Sequence, residues 1–236
     1  MKPLGVIFDL GDTILRVVSS DWRSGNERLL ELADNRQGFT ASMLEPISTE
    51  LAAEVFAYRE QFLLELRYED FIRLLCETTG ISLRVSYEVA VREVYKAALS
   101  FEPVAGVRDT LQKLASLGIR MGVLSNSSFS GELLRDELDR HNLTQFFTYV
   151  LSSADYGLRK PNPRLVSLAV KKLGLNPNET WFVGDRIEAD IAGALRAGLH
   201  PVWYNPRGES LPAGYRCDQV GSWDEFLNVI ERLPQR

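Results

Sequence analysis

Five side chains far apart in the sequence have the types needed to hold an anion beside a metal ion: Asp9, Ser125, Lys160, Asp185 and Asp190, with Asn126 beside the serine. Carboxylates in oxygen-rich company, with no histidine or cysteine nearby, suit a hard cation, and Mg²⁺ takes one or two of them together with substrate phosphate oxygens. A hydroxyl, exposed backbone N–H groups and a lysine ammonium suit a phosphoryl group. An aspartate touching that phosphorus could attack it and divide the transfer into two easier steps through an aspartyl-phosphate. Singly, each residue has an ordinary structural reading: Ser125-Asn126 as a turn cap, Lys160 as a surface lysine, Asp185 as an Asx turn and Asp190 as the N-cap of a helix beginning at Ile191. Their common placement is what argues for a site.

That placement follows from the elements that precede them. In GVIFDLGDTIL, residues 5–15, a short apolar run (Val6, Ile7, Phe8) ends in Asp9, and Gly11 opens a turn carrying a second acid, Asp12. After Pro103 strands and helices alternate. The pattern predicts helices over 107–117, 131–141, 163–173, 191–197 and 223–233, and strands over 119–124, 146–151, 180–183 and 201–204, with a weak strand near Gln219. Asn162-Pro163 reads as a cap followed by proline in the first helical position. Strands separated by helices imply an α/β fold, a doubly wound parallel sheet of Rossmann-like type with right-handed crossovers. In such a sheet the strand C-termini share one edge, where ligands bind. Asp9, Ser125-Asn126, Lys160 and Asp185 all fall there.

Between the first two strands the texture differs. From Val17 to about Ser100 apolar residues recur at helical spacing, and Gly38, Pro46 and the Thr78-Thr79-Gly80 group punctuate them. This predicts an inserted all-helical unit of about four helices, over 16–100, with residues 1–15 and 101–236 forming the α/β core. Its interleaved acids and arginines read as a solvated face. Trp22, Phe56, Tyr58, Phe62 and Tyr68 could contact a leaving group, but at helical spacing they read more readily as interior of this unit, and Arg16 and Arg23 could meet a substrate carboxylate or phosphate but read more readily as solvated surface.

Composition narrows the class. Net charge is −5 over 236 residues and no basic tract appears, which disfavours nucleic acid or an anionic membrane as partner. Cys76 and Cys217 lack metal-ligand spacing and read as reduced thiols. The apolar run near the N-terminus breaks at Asp9, so it forms neither a signal peptide nor a membrane span, and a cytoplasmic location is expected.

The segments FDLGDT, VLSNS, LRKPNP and VGDRIEAD, in that order, resemble the haloacid dehalogenase-like hydrolase superfamily. The resemblance implies a phosphatase-type member with a helical cap of the C1 type that closes over the site and chooses the substrate. It makes Asp9 the nucleophile and Ser125 and Lys160 the groups on the phosphoryl oxygens, with Leu10, Gly11 and Asn126 beside them. Asp9, Asp185 and the Gly11 carbonyl would hold Mg²⁺, and Asp190 would support them by orienting Lys160 or a metal-bound water. A small phosphorylated metabolite is the implied partner, and a monomer or homodimer the implied assembly.

One position departs from the pattern. Phosphatases of this superfamily usually carry a second acid two residues after the nucleophile, where this chain has Gly11, with Asp12 one place later. A positioned acid/base contributes roughly 10² to 10⁴ in rate. Three outcomes follow: Asp12 substitutes for it, a cap residue or water serves, or the chain binds phosphorylated ligands with little turnover. The resemblance also disfavours related chemistries. Dehalogenases typically have an aromatic residue at the Gly11 position and a less acidic fourth motif, phosphonate-cleaving members need a cap lysine where this insertion has only Lys96 at its far end, and phosphomutases depend on the missing acid.

Overall fold

The computed structural model describes residues 2–234. Val6, Ile7 and Phe8 are completely buried, and a strand that is apolar at every position needs neighbours on both edges and layers on both faces. That strand is β1 (Gly5–Phe8). The chain continues through β2 (Leu15–Ser20), α1 (Trp22–Glu31), β3 (Ala33–Asn35), α2 (Ala41–Phe56), the single turn α3 (Arg59–Phe62), α4 (Tyr68–Thr79), β4 (Ser82–Leu83), α5 (Tyr87–Ala98) and β5 (Leu99–Pro103). There follow α6 (Val107–Ser116), β6 (Arg120–Ser125), α7 (Gly131–Arg140), β7 (Val150–Ser152), α8 (Pro163–Leu173), β8 (Thr180–Gly184), α9 (Ala192–Ala197), β9 (His200–Tyr204), β10 (Asp218–Val220) and α10 (Trp223–Arg232).

Six strands form one parallel sheet in the order β10-β9-β8-β1-β6-β7. β1 lies inside it: Phe8 pairs with Val123 of β6 and Val183 of β8, so Asp9 leaves the sheet between those two strand ends. Alternation along β1 sends Val6 and Phe8 to one face and Ile7 to the other. Val6 and Phe8 pack with Leu111 and Leu114 of α6, Leu134 and Leu138 of α7, and Phe226 and Ile230 of α10. Ile7 packs with Val166 and Ala169 of α8 and Ala194 of α9. Helices therefore cover both faces, as the alternating pattern predicts.

The insertion between β2 and β5 is helical but not all-helical. β3 and β4 form a two-stranded antiparallel pair within it, too short for any periodicity to register. β2 and β5 pair antiparallel at its base, where a helical texture is expected from Val17. All of β2 after Leu15 is exposed, and a strand with no buried face carries no alternation to read. Pro46 lies inside α2 rather than ending it. The insertion has its own core, with Leu29, Leu44, Ile72, Leu75, Ala90 and Tyr95 closely packed, and Leu133 of α7 joins it from the sheet's side.

Two further elements differ from expectation. The third strand is Val150–Ser152, preceded by a tight turn over Thr144–Phe146. The chain after β8 makes a wide π-type turn over Ile187–Ile191 before α9 begins at Ala192, so Asp190 sits within the turn and does not cap a helix. Cys76 and Cys217 are free. No helix among the described residues is long and apolar enough to cross a membrane.

Candidate active site

The strand ends bring the expected residues together. Asp9, Gly11, Asp12, Ser125, Asn126, Lys160, Asp185 and Asp190 all line one cavity of about 150 Å³ at the carboxyl edge of the sheet. Leu10 is instead buried in the core beneath it.

Lys160 is the hub. Its side chain is almost wholly buried, and its Nζ donates to Asp9 Oδ1 and to the Leu124 carbonyl at 2.8 Å, and stands 2.8 Å from Asp190 Oδ1. Burial works against its charge, but Asp190 and Asp9 outweigh that and hold the ammonium above the ordinary lysine value. Its backbone is pinned as firmly. The Asn126 side chain accepts from Lys160 N at 2.7 Å and donates to Lys160 O at 3.0 Å. The Asn126 amide is thereby committed to positioning the lysine, and its backbone N–H has no hydrogen-bond partner among the described residues.

Asp190 is held from the opposite side. Its Oδ2 accepts from the Arg186 N–H at 3.0 Å across the wide turn, and a Cβ at Gly184 would overlap its carboxylate. Only glycine lets the acid fold back under the end of β8.

The acids outnumber the base. Carboxylate oxygens of Asp9, Asp185 and Asp190 lie within 4.8 Å of one another, with one ammonium among them. Burial pushes Asp9 up to about 6, with Lys160 opposing and Asp190 adding. Burial likewise pushes Asp185 up to about 7, reinforced by the charges of Asp9, Asp190 and Asp12. Negative charge crowded in a buried place, from oxygen donors alone, fits a hard divalent cation such as Mg²⁺. The Gly11 carbonyl accepts no hydrogen bond from the described residues, nor do the N–H groups of Gly11 and Asn126 donate one. With the Ser125 hydroxyl on the same wall, these free groups line the cavity as an anion cradle would.

The inverted order of Gly11 and Asp12 has a structural signature. Asp12 takes a left-handed backbone with φ of 54°, a conformation glycine adopts freely and an L-residue at a cost of roughly 1–2 kcal/mol. At Gly11 an added Cβ would meet nothing within 4 Å. Space for a side chain exists at position 11, and the chain puts the acid at position 12 instead, exposed at the cavity rim beside Asp185.

Beside this cluster lies a second that sequence reading does not find. Glu65, from the segment between α3 and α4, is buried; its carboxylate accepts from Arg159, from Ser153 Oγ at 2.7 Å and from Ser128 Oγ at 3.1 Å. Arg159 also donates to Glu60 at 2.7 Å. Backbone bonds run alongside, Arg159 N to Leu63 O at 2.9 Å, Glu65 N to Gly157 O at 3.1 Å and Tyr68 N to Ser128 O at 2.8 Å. The insertion therefore grips the loop that carries Lys160. The interleaved charges of the insertion read as a solvated face, and for Glu65 that reading fails because its partner is 94 residues away. Arg16 and Arg23 are exposed as expected, paired with Glu102 and Glu27.

A family model described as haloacid dehalogenase-like hydrolase matches residues 4–198. The chain is 36% identical over 142 residues to glyceraldehyde 3-phosphate phosphatase of Methanopyrus kandleri, a match covering 56% of this chain and 58% of that protein. It is 30% identical over 235 residues to (S)-2-haloacid dehalogenase 4A of Burkholderia cepacia, covering 96% of this chain and 94% of that protein. The likeness to the phosphatase thus spans under two thirds of its length, and that to the dehalogenase nearly all. Among solved structures, a 2-haloacid dehalogenase from Pseudomonas syringae superposes with a TM-score of 0.69 at 22% identity over 96% of this chain and 97% of that one. A HAD phosphatase from Thermococcus onnurineus gives 0.61 at 20% identity over 98% of each. At such identities the likeness concerns the fold alone. With the family model matching most of its length and its fold shared with these structures, the chain belongs to the haloacid dehalogenase-like hydrolases.

Proposed function

We propose that this hydrolase is a Mg²⁺-dependent phosphohydrolase cleaving a small phosphomonoester through a phosphorylated Asp9. The observation that carries the reading is the surplus of carboxylates at a cavity that also offers a buried ammonium, a hydroxyl and two free N–H groups. Asp9, Asp185 and the Gly11 carbonyl would hold the cation, with Asp190 supporting; bound there, it would offset charge on the phosphoryl oxygens. Ser125, Lys160 and the N–H groups of Gly11 and Asn126 bind those oxygens. A carboxylate oxygen of Asp9 forms a bond to phosphorus as the bond to the leaving oxygen breaks, its electron pair departing with that oxygen. Water then attacks the same phosphorus, restoring the Asp9 carboxylate and yielding inorganic phosphate. Relatives named as phosphatases, including one of glyceraldehyde 3-phosphate, support phosphomonoester hydrolysis as the reaction type.

The full-length likeness to a haloacid dehalogenase favours a second reading, displacement of halide from carbon by Asp9. Such a displacement gives three clustered acids no work. A third reading, a phospho-ligand binder with little turnover, draws on Gly11 alone. One experiment separates all three. Asp9→Asn should bring Mg²⁺-dependent phosphate release from 4-nitrophenyl phosphate to background while circular dichroism stays native. Full activity in that variant overturns Asp9 as nucleophile. Halide release from 2-chloropropionate by the wild type, without phosphate release, establishes the second reading, and absence of both establishes the third.

A further inference from the structure

Next to the anion cavity is a larger one of different chemistry. It measures about 400 Å³ and is walled by Trp22, Phe56, Tyr68, Phe71 and Phe129, with Arg59 among its lining residues. The rings form a connected cage: Tyr68 lies 4.8 Å from Phe129, 5.2 Å from Phe71 and 5.7 Å from Trp22 between centroids. Such walls favour a flat apolar guest. The cavity adjoins the site along one stretch of chain. Ser127 and Ser128 line it, and they directly follow Ser125 and Asn126, which line the anion cavity. Two residues of chain span at most about 7 Å, so one small molecule can occupy both.

Arg59 gives the cage its polarity. It is half-buried, its guanidinium rests on the Phe56 ring at 5.1 Å, and among the described residues it has no carboxylate partner within ion-pair distance. The neighbouring acids Glu60 and Glu65 are taken by Arg159. Burial, with the adjacent Arg159 charge, lowers its affinity for a proton. An unpaired guanidinium at an aromatic wall is a site for an anion carried on the guest.

Gly11 limits the guest from the other end. No side chain stands at position 11 to protonate a departing oxygen, so a leaving group that departs as a stable anion is preferred. A phenol meets that demand and a sugar hydroxyl does not.

We infer that the leaving group is an aromatic ring bearing a carboxylate, seated in the cage with its carboxylate on Arg59, so that the substrates are carboxylated aryl phosphates. The inference rests on the phosphohydrolase reading for its chemistry, but the pocket can be tested without turnover. Binding of 4-carboxybenzylphosphonate, which has no hydrolysable P–O–C bond, is compared by calorimetry in Mg²⁺ with its carboxylate methyl ester and with 3-phosphonopropionate, an acid without the ring. The wild type should bind the carboxylated ring on the order of ten-fold or more tighter than its ester, the size of a charge-assisted hydrogen bond, and tighter than the ringless acid. Arg59→Gln should abolish the preference over the ester, and Arg59→Lys should restore part of it. Equal affinity for acid and ester in the wild type, a preference that survives Arg59→Gln, or equal binding of the ringless acid overturns the inference. Turnover of 4-carboxyphenyl phosphate is then read separately: the binding preferences without phosphate release remove the phosphohydrolase reading and leave the pocket, while phosphate release without the preferences does the reverse.

Discussion

Two consecutive residues, Arg159 and Lys160, enter two buried charged clusters that differ in one respect. Around Arg159 the acids are matched: Glu65 receives the guanidinium and two serine hydroxyls, and Glu60 takes its other edge. Around Lys160 they are not: one ammonium faces Asp9 and Asp190, with Asp185 close by and, among the described residues, without a base of its own. In the first cluster the buried acid, Glu65, is compensated within the protein, whereas the second holds more buried acid than base. Buried charge without internal compensation marks where a ligand binds, and buried charge with it marks where the chain holds itself together. Their adjacency ties the two together, because an insertion that grips Arg159 also fixes the loop from which Lys160 reaches Asp9.

The largest effect should come from unmatching the matched cluster. Glu65→Ala takes the buried carboxylate from a guanidinium whose side chain is 3% exposed and leaves it only the half-exposed Glu60, and removing one partner of a buried pair costs about 3–5 kcal/mol. Urea denaturation should register that loss, with Glu65→Gln losing less because an amide still accepts from Ser153. A loss below about 1 kcal/mol, the range of exposed pairs such as Arg16–Glu102, would erase the distinction between the clusters.

The two clusters also differ in how far the sequence reveals them. The Lys160 cluster was legible because its chemistry restricts residue types, and because buried parallel strands read as apolar runs whose ends can be located, as Val6 to Phe8 locate Asp9. The Arg159 cluster was not, since Glu65 looks like any acid in a polar segment and no local spacing links it to residue 159. The same physics hid β2 and β5: Val17 and Val18 are about half exposed, so the strand that starts the insertion has no buried face to impose a period of two. For Asp190 the sequence offers both a helix cap and a place among the site acids, and the wide turn over Ile187–Ile191 excludes the cap, while Gly184, which makes room for it, reads in sequence only as a strand-ending glycine.

Of intermediate size is the response to metal. If the surplus acids await a cation, Mg²⁺ at about a hundred times its Kd should stabilise the fold by ~2.7 kcal/mol, raising Tm by several degrees, and a chelator should reverse it. Glu65→Gln should keep this increment, since its carboxylate serves Arg159. An increment that vanishes with Glu65 and persists without Asp185 would invert the assignment of the clusters.

The smallest effect changes sign with the metal. Asp185→Asn removes one of three mutually repelling carboxylates, the one that burial and its neighbours push up to about 7. A carboxyl whose affinity for protons is raised on folding weakens the fold at pH values above its unfolded range, most fully above the folded value. At pH 8 and without divalent cation, the variant should therefore be more stable than the wild type, by about 2–4 °C in Tm if ~1 kcal/mol of repulsion is relieved in a chain of this length. With saturating Mg²⁺ the order should reverse, because the wild type gains a ligand-bound state that the amide supports poorly. Such a crossing belongs to a cluster kept at a cost in stability for the sake of binding; a variant less stable under both conditions would make Asp185 a structural residue like Glu65.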